Sequence, residues 1–281
     1  MPGSPQIRWL WIACLLAVLV VSCAELQAAT PEDLTVPSTA PSYTAASVVQ
    51  AATQQAATQT GAALAPNTIA TIYGKNLAYS TRTATAADLV GAQLPTSLDG
   101  VTVFVYGIPC GLFYISPGQI NFLVPYQVTV ASATLQVLRQ GVVGPPVTIP
   151  LALTSPAFFE WNGNQAIAVH ADGTLISAAA PARGGEVIVL FAAGLGRTSP
   201  DLVPDKVPAA AATILYASQL QILLNGGALT SGSVQYAGVT PGFAGLYQIN
   251  LKLPDVLPAN PQIQVTIGAQ SSPLAVVLPT Q

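Results

Sequence analysis

Apolar and polar residues alternate along most of the chain with the period of two that is typical of β-strands. In residues 101–106, valines occupy every other position, which predicts a strand with one buried face. Turn residues separate such runs, and no segment sustains a helical period. The predicted strands are 68–73, 101–106, 111–115, 119–124, 133–138, 147–153, 186–191, 219–224, 245–253, 263–267 and 274–278.

Local signals add detail to this pattern. The dipeptides Asn225-Gly226 and Asp172-Gly173 predict hairpins with type I′ turns, because both dipeptides accept a positive φ. Residues 47–52 favour a short strand followed by a loop. The alternative, given the many alanines and glutamines, is a short helix over 45–59.

The sequence of elements occurs twice. Gln119-Ile120-Asn121 returns as Gln248-Ile249-Asn250, and each copy follows a Ser/Thr-Pro-Gly turn. Upstream segments align in the same order, and the offset between the copies only grows, from 118 to 129 residues. We therefore predict an all-β protein of two tandem immunoglobulin-like β-sandwich modules that arose by internal duplication.

The N-terminus predicts export. Arg8 precedes thirteen apolar residues, 9–21, and a helix needs about twenty to span a bilayer. The predicted organisation is a signal peptide (1–28), a flexible linker (29–46), a first module (47–155) and a second module (156–281) that opens with a junction hairpin. We expect the two modules to dock through this hairpin.

Two processing sites are compatible with this segment. Ordinary cleavage near Ala28 would discard Cys23, whereas a lipoprotein-type site at Val20-Val21-Ser22-Cys23 would make Cys23 the acylated first residue. In both cases Cys110 is the only other cysteine of the mature chain, so no intramolecular disulfide is expected. The expected location is extracellular, periplasmic or associated with the outer membrane, with membrane contact only through a lipid anchor at Cys23.

The charge content limits the classes of partner. Only 7% of the residues are charged, and eight lysines and arginines stand against eleven aspartates and glutamates without any basic cluster. Nucleic acid is excluded as a partner, because its binding depends on neutralising phosphates with basic side chains.

The repeated Gln-x-Asn motif is the sharpest local signal. In a strand, Gln248, Asn250 and Lys252 share one face, and the lysine indicates that this face meets water. The same alternation predicts that Gln119 and Asn121 also point outward. Their amides either tie the preceding turn to the strand or form a ligand-facing ladder.

An aromatic group lies in the predicted junction hairpin. Phe158, Phe159 and Trp161 would form a platform for sugar rings if they were exposed. The alternative is burial against the neighbouring module, which is the usual fate of aromatic residues at a domain junction.

The sequence gives little support to catalysis. The only histidine, His170, lies two residues before Asp172, and no Gly-x-Ser-x-Gly elbow presents a nucleophile. Gly194-Leu195-Gly196 is followed by Arg197 instead of a helix, so it predicts a turn and not a dinucleotide loop. We expect no cofactor and no metal site. The scattered carboxylates are Glu160, Asp172, Glu186, Asp201, Asp205 and Asp255.

Several segments together resemble a known family. Residues 72–77, 112–122, 193–196 and 241–250 are similar to the signatures of an uncharacterised secreted bacterial family, the Solibacter-type C-terminal domain of soil acidobacteria. The resemblance covers about residues 45–281 and implies export and a β-rich fold, but no established activity. Residues 72–77 also resemble the start of IPT/TIG-type immunoglobulin-like domains.

These observations favour an exported, non-catalytic binding or structural module of the cell envelope, whose partner is an envelope protein or a polysaccharide. One alternative is a protein that binds carbohydrate or matrix. The other is an envelope hydrolase whose acidic residues converge only on folding.

Overall fold

A computed structural model describes residues 39–59 and 61–281, so the predicted signal peptide and Cys23 lie outside the described residues. Residues 40–281 form one unit of β-strands with four short 3₁₀ turns, Ala45–Ser47, Ala86–Asp88, Ala217–Gln219 and Ser231–Ser233. The all-β prediction is confirmed. The strand predicted near residue 47 is also confirmed, as a 3₁₀ turn followed by a strand, and the alternative helix is absent from residues 45–59 as far as they are described.

The first module contains two antiparallel sheets. One has the strand order β1-β2-β7-β6-β3 and the other β10-β8-β4-β5, with β9 paired to β8. Alternate residues such as Val101, Val103 and Val105 point into the core between them. The strands are β1 (Val48–Gln50), β2 (Ile69–Tyr73), β3 (Arg82–Thr83), β4 (Val101–Val105), β5 (Ile108–Pro109), β6 (Leu112–Ile115), β7 (Gln119–Leu123), β8 (Ser132–Arg139), β9 (Val142–Val143) and β10 (Val147–Pro150).

The second module is built in the same way from a larger and a smaller sheet. The strands are β11 (Ala157–Phe158), β12 (Glu160–Trp161), β13 (Gln165–Ala166), β14 (Ala168–His170), β15 (Val187–Ala193), β16 (Thr198–Ser199), β17 (Thr213–Ile214), β18 (Leu220–Leu224), β19 (Gly227–Ala228), β20 (Val234–Val239), β21 (Tyr247–Lys252), β22 (Ile263–Ile267) and β23 (Gln270–Ser271). The larger sheet has the order β11-β15-β21-β20-β17-β16, with β14 also paired to β15, and the smaller has the order β19-β18-β22-β23. Strands β12 and β13 form a separate ribbon.

The duplication is visible in strand pairing and register. Strands β2, β7 and β6 pair as β15, β21 and β20 do, and β4 pairs with β8 as β18 does with β22. Asn121 lies opposite Tyr114, and Asn250 lies opposite Tyr236. Each of these two strand pairs has a bulge just before its tyrosine. A shared bulge is good evidence of common descent, because bulges are conserved within families.

The hairpin predictions are confirmed in position, and one differs in type. Asn225 and Gly226 both have positive φ, 47° and 80°, and they close the β18–β19 hairpin. At the other site only Gly173 is left-handed, with φ of 84°, and the His170 N–H bonds to the Thr174 carbonyl across a longer turn. That turn is therefore not type I′.

One strand predicted from the sequence is wrong, and one strand was not predicted. Residues 274–278 form a turn with isolated bridges, because Leu274 faces solvent while the Val277 backbone bridges two separate segments. Strand β20 was not predicted. Apolar and polar residues do not alternate at its centre, Tyr236-Ala237-Gly238. The Tyr236 ring lies over the backbone of Gly238, which has no side chain.

Polar contacts join the two modules. Tyr247 is buried in the core of the second module, where its hydroxyl donates to the Gly196 carbonyl and accepts from Asn67 Nδ2 of the first module at 3.1 Å. Tyr126 of the first module accepts from the Thr198 N–H at 2.9 Å and donates to Asp201 at 2.9 Å. These bonds satisfy groups that are costly to bury unpaired.

Apolar packing accompanies these bonds. Leu123 and Ala244 are buried in one cluster, with Ile69 packed against it, so the loop before β21 presses on the outer face of β2 and β7. The hairpin after Pro156 instead pairs with β15 of its own module. The junction contacts described above come from other segments, and docking of the modules through this hairpin stays a prediction. The boundary at residues 155 and 156 lies between β10 and β11 and stays a prediction.

Asp205 is a further link across the junction. Its backbone carbonyl accepts from the Leu94 N–H at 2.9 Å, and its Oδ1 accepts from the Gly111 N–H at 3.1 Å. Burial raises the pKa of the Asp205 carboxyl, although the bond from Gly111 opposes this shift. Its φ of 55° lies in the left-handed region, which asparagine also tolerates.

We expect Gly245→Ala to lower the free energy of unfolding more than Gly242→Ala does. Both glycines have positive φ, so both variants carry the left-handed penalty of roughly 1–2 kcal/mol. Only a Cβ at Gly245 would lie 2.6 Å from Ile69 Cγ1 and 2.7 Å from Leu123 Cδ1, which adds about 1–3 kcal/mol of overpacking. Urea denaturation measures both values. Equal losses would contradict the described packing.

Asp205→Asn should stabilise the protein increasingly as the pH rises. In the folded state the pKa of Asp205 lies above its ordinary value of 3.8. As the pH rises, the unfolded chain therefore loses this proton first, and the free energy of unfolding of the wild type falls. Asparagine keeps the acceptor for Gly111 and does not ionise. Denaturation between about pH 3 and about pH 7 tests this, with the exposed Asp255→Asn as control. A constant gap between Asp205→Asn and wild type would refute the prediction.

Candidate functional site

The first copy of the repeated motif is buried. Gln119 Nε2 donates to Asn121 Oδ1 at 2.9 Å, and Thr71 Oγ1 donates to the same oxygen at 2.9 Å. Gln119 is 8% exposed and Asn121 is 3% exposed. The prediction that both point into water is therefore wrong. They do lie on the outer face of the sheet, but the second module packs on that face at Ile69 and Leu123.

The second copy has the same geometry in a different environment. Gln248 Nε2 donates to Asn250 Oδ1 at 3.0 Å, while both side chains are only partly buried and Lys252 is exposed. Val189 occupies the position of Thr71, so no hydroxyl donates to Asn250. Within the described residues, the side-chain atoms Gln248 Oε1 and Asn250 Nδ2 bond to no protein group and are open to a ligand.

Three substitutions explain the difference between the copies. The register places Val187, Gln235 and Lys252 where the first module has Ile69, Phe113 and Leu123. The first module's set packs in the junction, whereas Gln235 and Lys252 are exposed. The outer face of β20 and β21 thus carries polar residues at positions where the first module has apolar residues buried in the junction. We call Tyr236, Gln248, Asn250 and Lys252 the amide strip.

Tyr236 is the aromatic member of the amide strip. Its hydroxyl lies 2.9 Å from the Val239 carbonyl and 3.2 Å from the Ala212 carbonyl, so the ring is held over Gly238. Burial raises the pKa of the Tyr236 hydroxyl, which therefore stays protonated and neutral. The alternation of polar and apolar residues did not predict a role for this residue. The signal that would have found it is the alignment of Tyr114 with Tyr236 upstream of the repeated motif.

Two grooves border the strip. The Tyr236 groove has a volume of about 220 Å³ and is lined by Thr213, Ala217, Ser218, Leu220, Ser231, Val234, Gln235, Tyr236 and Ala237. The Lys252 groove has a volume of about 410 Å³ and is lined by Ala228, Leu229, Thr230, Gly232, Ser233, Lys252, Leu253, Pro254 and Asp255. Residues of the segment 231–234 line both grooves, and each groove includes one member of the amide strip, Tyr236 or Lys252.

The proposed aromatic platform is not present as predicted. Phe158 is fully buried in the core of the second module, and Phe159 is 4% exposed. Trp161 is partly buried, and its indole N–H is itself inaccessible to solvent. Burial is the outcome because β11 pairs with β15 and directs Phe158 into the sandwich. An exposed platform of these three residues is thus ruled out.

His170 lies in a local network. Its Nδ1 faces Glu186 Oε2 at 3.1 Å and its Nε2 faces the Ala180 carbonyl at 3.2 Å. No serine, threonine or cysteine of the described residues hydrogen-bonds to the ring, as a nucleophile would. Asp172 accepts from the Thr174 N–H within its turn, at 2.8 Å.

The acidic residues serve several structural contacts. Asp201 pairs with Arg197 and Tyr126, Asp205 joins the modules, and burial raises the pKa of Glu160. Asp88 and Asp99, which the sequence analysis did not single out, meet at Arg82. In the described part of the chain, no group of three or more His, Cys, Asp or Glu side chains could hold a metal ion.

The glycine-rich segment forms the predicted turn. Gly194 and Gly196 have φ of 72° and 84°, and the following residues form β16. A Cβ on Gly194 would lie 1.9 Å from the Ser155 carbonyl oxygen, so this glycine permits close backbone approach within the protein.

Comparisons with known proteins give a similar architecture at low identity. No protein-family model and no curated protein matches the chain, so the resemblance to the acidobacterial family stays a prediction. The extracellular region of plexin A4 has a TM-score of 0.29 and 10% identity over 92% of this chain and 20% of plexin. The surface glycan-binding protein PbSGBP-B from Prevotella bryantii has a TM-score of 0.25 and 12% identity over 84% of this chain and 41% of its own. The tandem Ig repeats of Dlar have a TM-score of 0.20 and 10% identity over 78% and 91% of the two chains.

The chain therefore spans a fifth of the plexin region and less than half of the glycan-binding protein. At identities and TM-scores this low, the likenesses carry no argument about ligand or activity.

Alanine at both members of each amide pair should separate their roles. Gln119→Ala with Asn121→Ala removes a buried pair and leaves the Thr71 hydroxyl without its acceptor, which should cost about 2–4 kcal/mol of unfolding free energy. Gln248→Ala with Asn250→Ala removes a partly exposed pair and should change stability by less than about 1 kcal/mol. Thermal denaturation followed by circular dichroism measures both. Equal losses would show that the two copies have the same structural role.

Proposed function

We propose that this protein is an exported, non-catalytic binding module of the cell envelope that holds its partner on the amide strip of the second module. The observation that carries the proposal is the contrast between the two copies. In the first copy the pair is buried and Asn121 Oδ1 accepts two hydrogen bonds, whereas the second copy keeps the same Gln-to-Asn bond on a partly exposed face. Open amide donors and acceptors in a fixed geometry are suited to recognising a polar ligand.

The junction supports this role by making the strip rigid. Tyr247 precedes Gln248 in β21, and its side chain is fixed in the core and bonded to Asn67. Alternate residues of a strand point to opposite faces, so fixing Tyr247 on one face orients Gln248 and Asn250 on the other. A ligand bound there would lose little affinity to ordering of the site.

The hydrolase alternative has less support. Glycoside hydrolysis needs two facing carboxyl groups, of which one has a raised pKa. Asp88 and Asp99 come together, but Arg82 bridges them, and hydrogen bonds from Thr85 and Ser80, together with Arg82, lower the pKa of both carboxyls. Both therefore remain ionised, and neither is suited to act as the general acid.

Location in the envelope rests on the predicted signal peptide. In the described part of the chain, no helix combines the length and the apolar character needed to cross a bilayer. We propose export on the basis of Arg8 and the apolar run that follows it, with acylation of Cys23 as the variant that would anchor the protein.

Capture from the native envelope tests the function. Immobilised wild-type protein should retain specific envelope components, and Gln248→Ala with Asn250→Ala should lose at least nine-tenths of them because the strip has lost its amides. The matched control is Gln221→Ala with Thr266→Ala, a directly opposed pair on the smaller sheet of the same module. If strip variant and wild type retain the same components in equal amounts, the strip is not the binding face.

A further inference from the structure

The Tyr236 groove has a chemistry that selects among ligands. Hydroxyl groups of Thr213, Ser218 and Ser231 and the amide of Gln235 line it, together with the Tyr236 ring and Leu220. No charged side chain is among its lining residues. An ion entering the groove would lose hydration without meeting a counter-charge, and a wholly apolar ligand would leave the hydroxyls unpaired.

We propose that the Tyr236 groove binds one or more sugar residues of a neutral polysaccharide. A sugar ring carries both hydroxyl groups and apolar C–H faces, so it matches hydroxyl-lined walls beside an aromatic ring. The proposal rests on the proposed function, because the groove adjoins the amide strip that we assign as the binding face.

The position of Tyr236 favours a polymer over a single sugar. Tyr236, which lines the groove, lies directly opposite Asn250 on the neighbouring strand, so the amide pair is the neighbouring polar group on that side of the groove. The ring is held in place by contacts of its hydroxyl with the Ala212 and Val239 carbonyls, which a sugar does not have to displace. A chain leaving the groove would next meet Asn250 and Gln248.

The Lys252 groove provides an internal contrast. It is larger, at about 410 Å³, but Lys252 and Asp255 line it, so its chemistry suits charged ligands better than neutral ones. Residues of the segment 231–234 contribute to both grooves. Blocking each groove separately therefore compares two neighbouring surfaces on one module.

The test is binding to defined polysaccharides by affinity electrophoresis and calorimetry. The neutral probes are laminarin, a mannan and an arabinoxylan, and the charged probe is polygalacturonate. Wild type should bind at least one neutral probe, and any binding of polygalacturonate should be unaffected by filling the Tyr236 groove. Ala217→Trp, an exposed lining position, should fill the groove and weaken that binding at least tenfold, and Ala228→Trp in the Lys252 groove should leave it unchanged. Tyr236→Phe should retain binding and Tyr236→Ala should lose it.

Each other outcome overturns the proposal in a distinguishable way. If no neutral probe binds, or if Ala217→Trp binds as wild type does, the groove is not the sugar site. If envelope capture still depends on Gln248 and Asn250 in that case, the proposed function stands and only the ligand class fails. If capture is also independent of these residues, both proposals fail.

Discussion

The structure depends on one buried hydroxyl, that of Tyr247. The ring lies in the core of the second module, and the hydroxyl bonds to Gly196 of that module and to Asn67 of the first. Burial raises the pKa of Tyr247, so the group stays neutral, and both of its hydrogen bonds are retained without the cost of burying a charge. Through this contact the orientation of β21 is tied to the first module. The strand that bears the open amide pair is thus anchored at the junction.

The sheet face that is buried at the junction in the first module corresponds to a partly exposed face in the second module. The first module needs Ile69 and Leu123 to be apolar because the loop before β21 packs on them. Among residues 39–59 and 61–281, no such loop covers the corresponding face of the second module, where Val187 and Lys252 lie and the face is partly open. This polar face retains the aligned amides of the buried copy.

The proposed function therefore rests on side chains that are open to a ligand and not on catalytically reactive groups. His170 is engaged with Glu186 and Ala180, and Asp205 and Asp201 contribute to the junction. By contrast, the amide strip and the Tyr236 groove present hydroxyls, amides, one aromatic ring and the Lys252 ammonium group. Such groups recognise by hydrogen bonding and contact area, which is the chemistry of binding and not of bond cleavage.

Most strands, the duplication and the turn positions could be predicted from the sequence, because period-two alternation and glycine placement depend on neighbours along the chain. The sequence did not determine which copy of a repeated face would be buried. Lys252 indicated a solvent-facing surface correctly for its own copy, and Leu123 at the matching position was the unused sign that the first copy is covered. The tertiary structure decided this, together with the burial of Phe158 and the assembly of the Tyr236 groove. Each of these depends on contacts between residues far apart in sequence, and an alternating pattern fixes which face a side chain occupies but not what packs against that face.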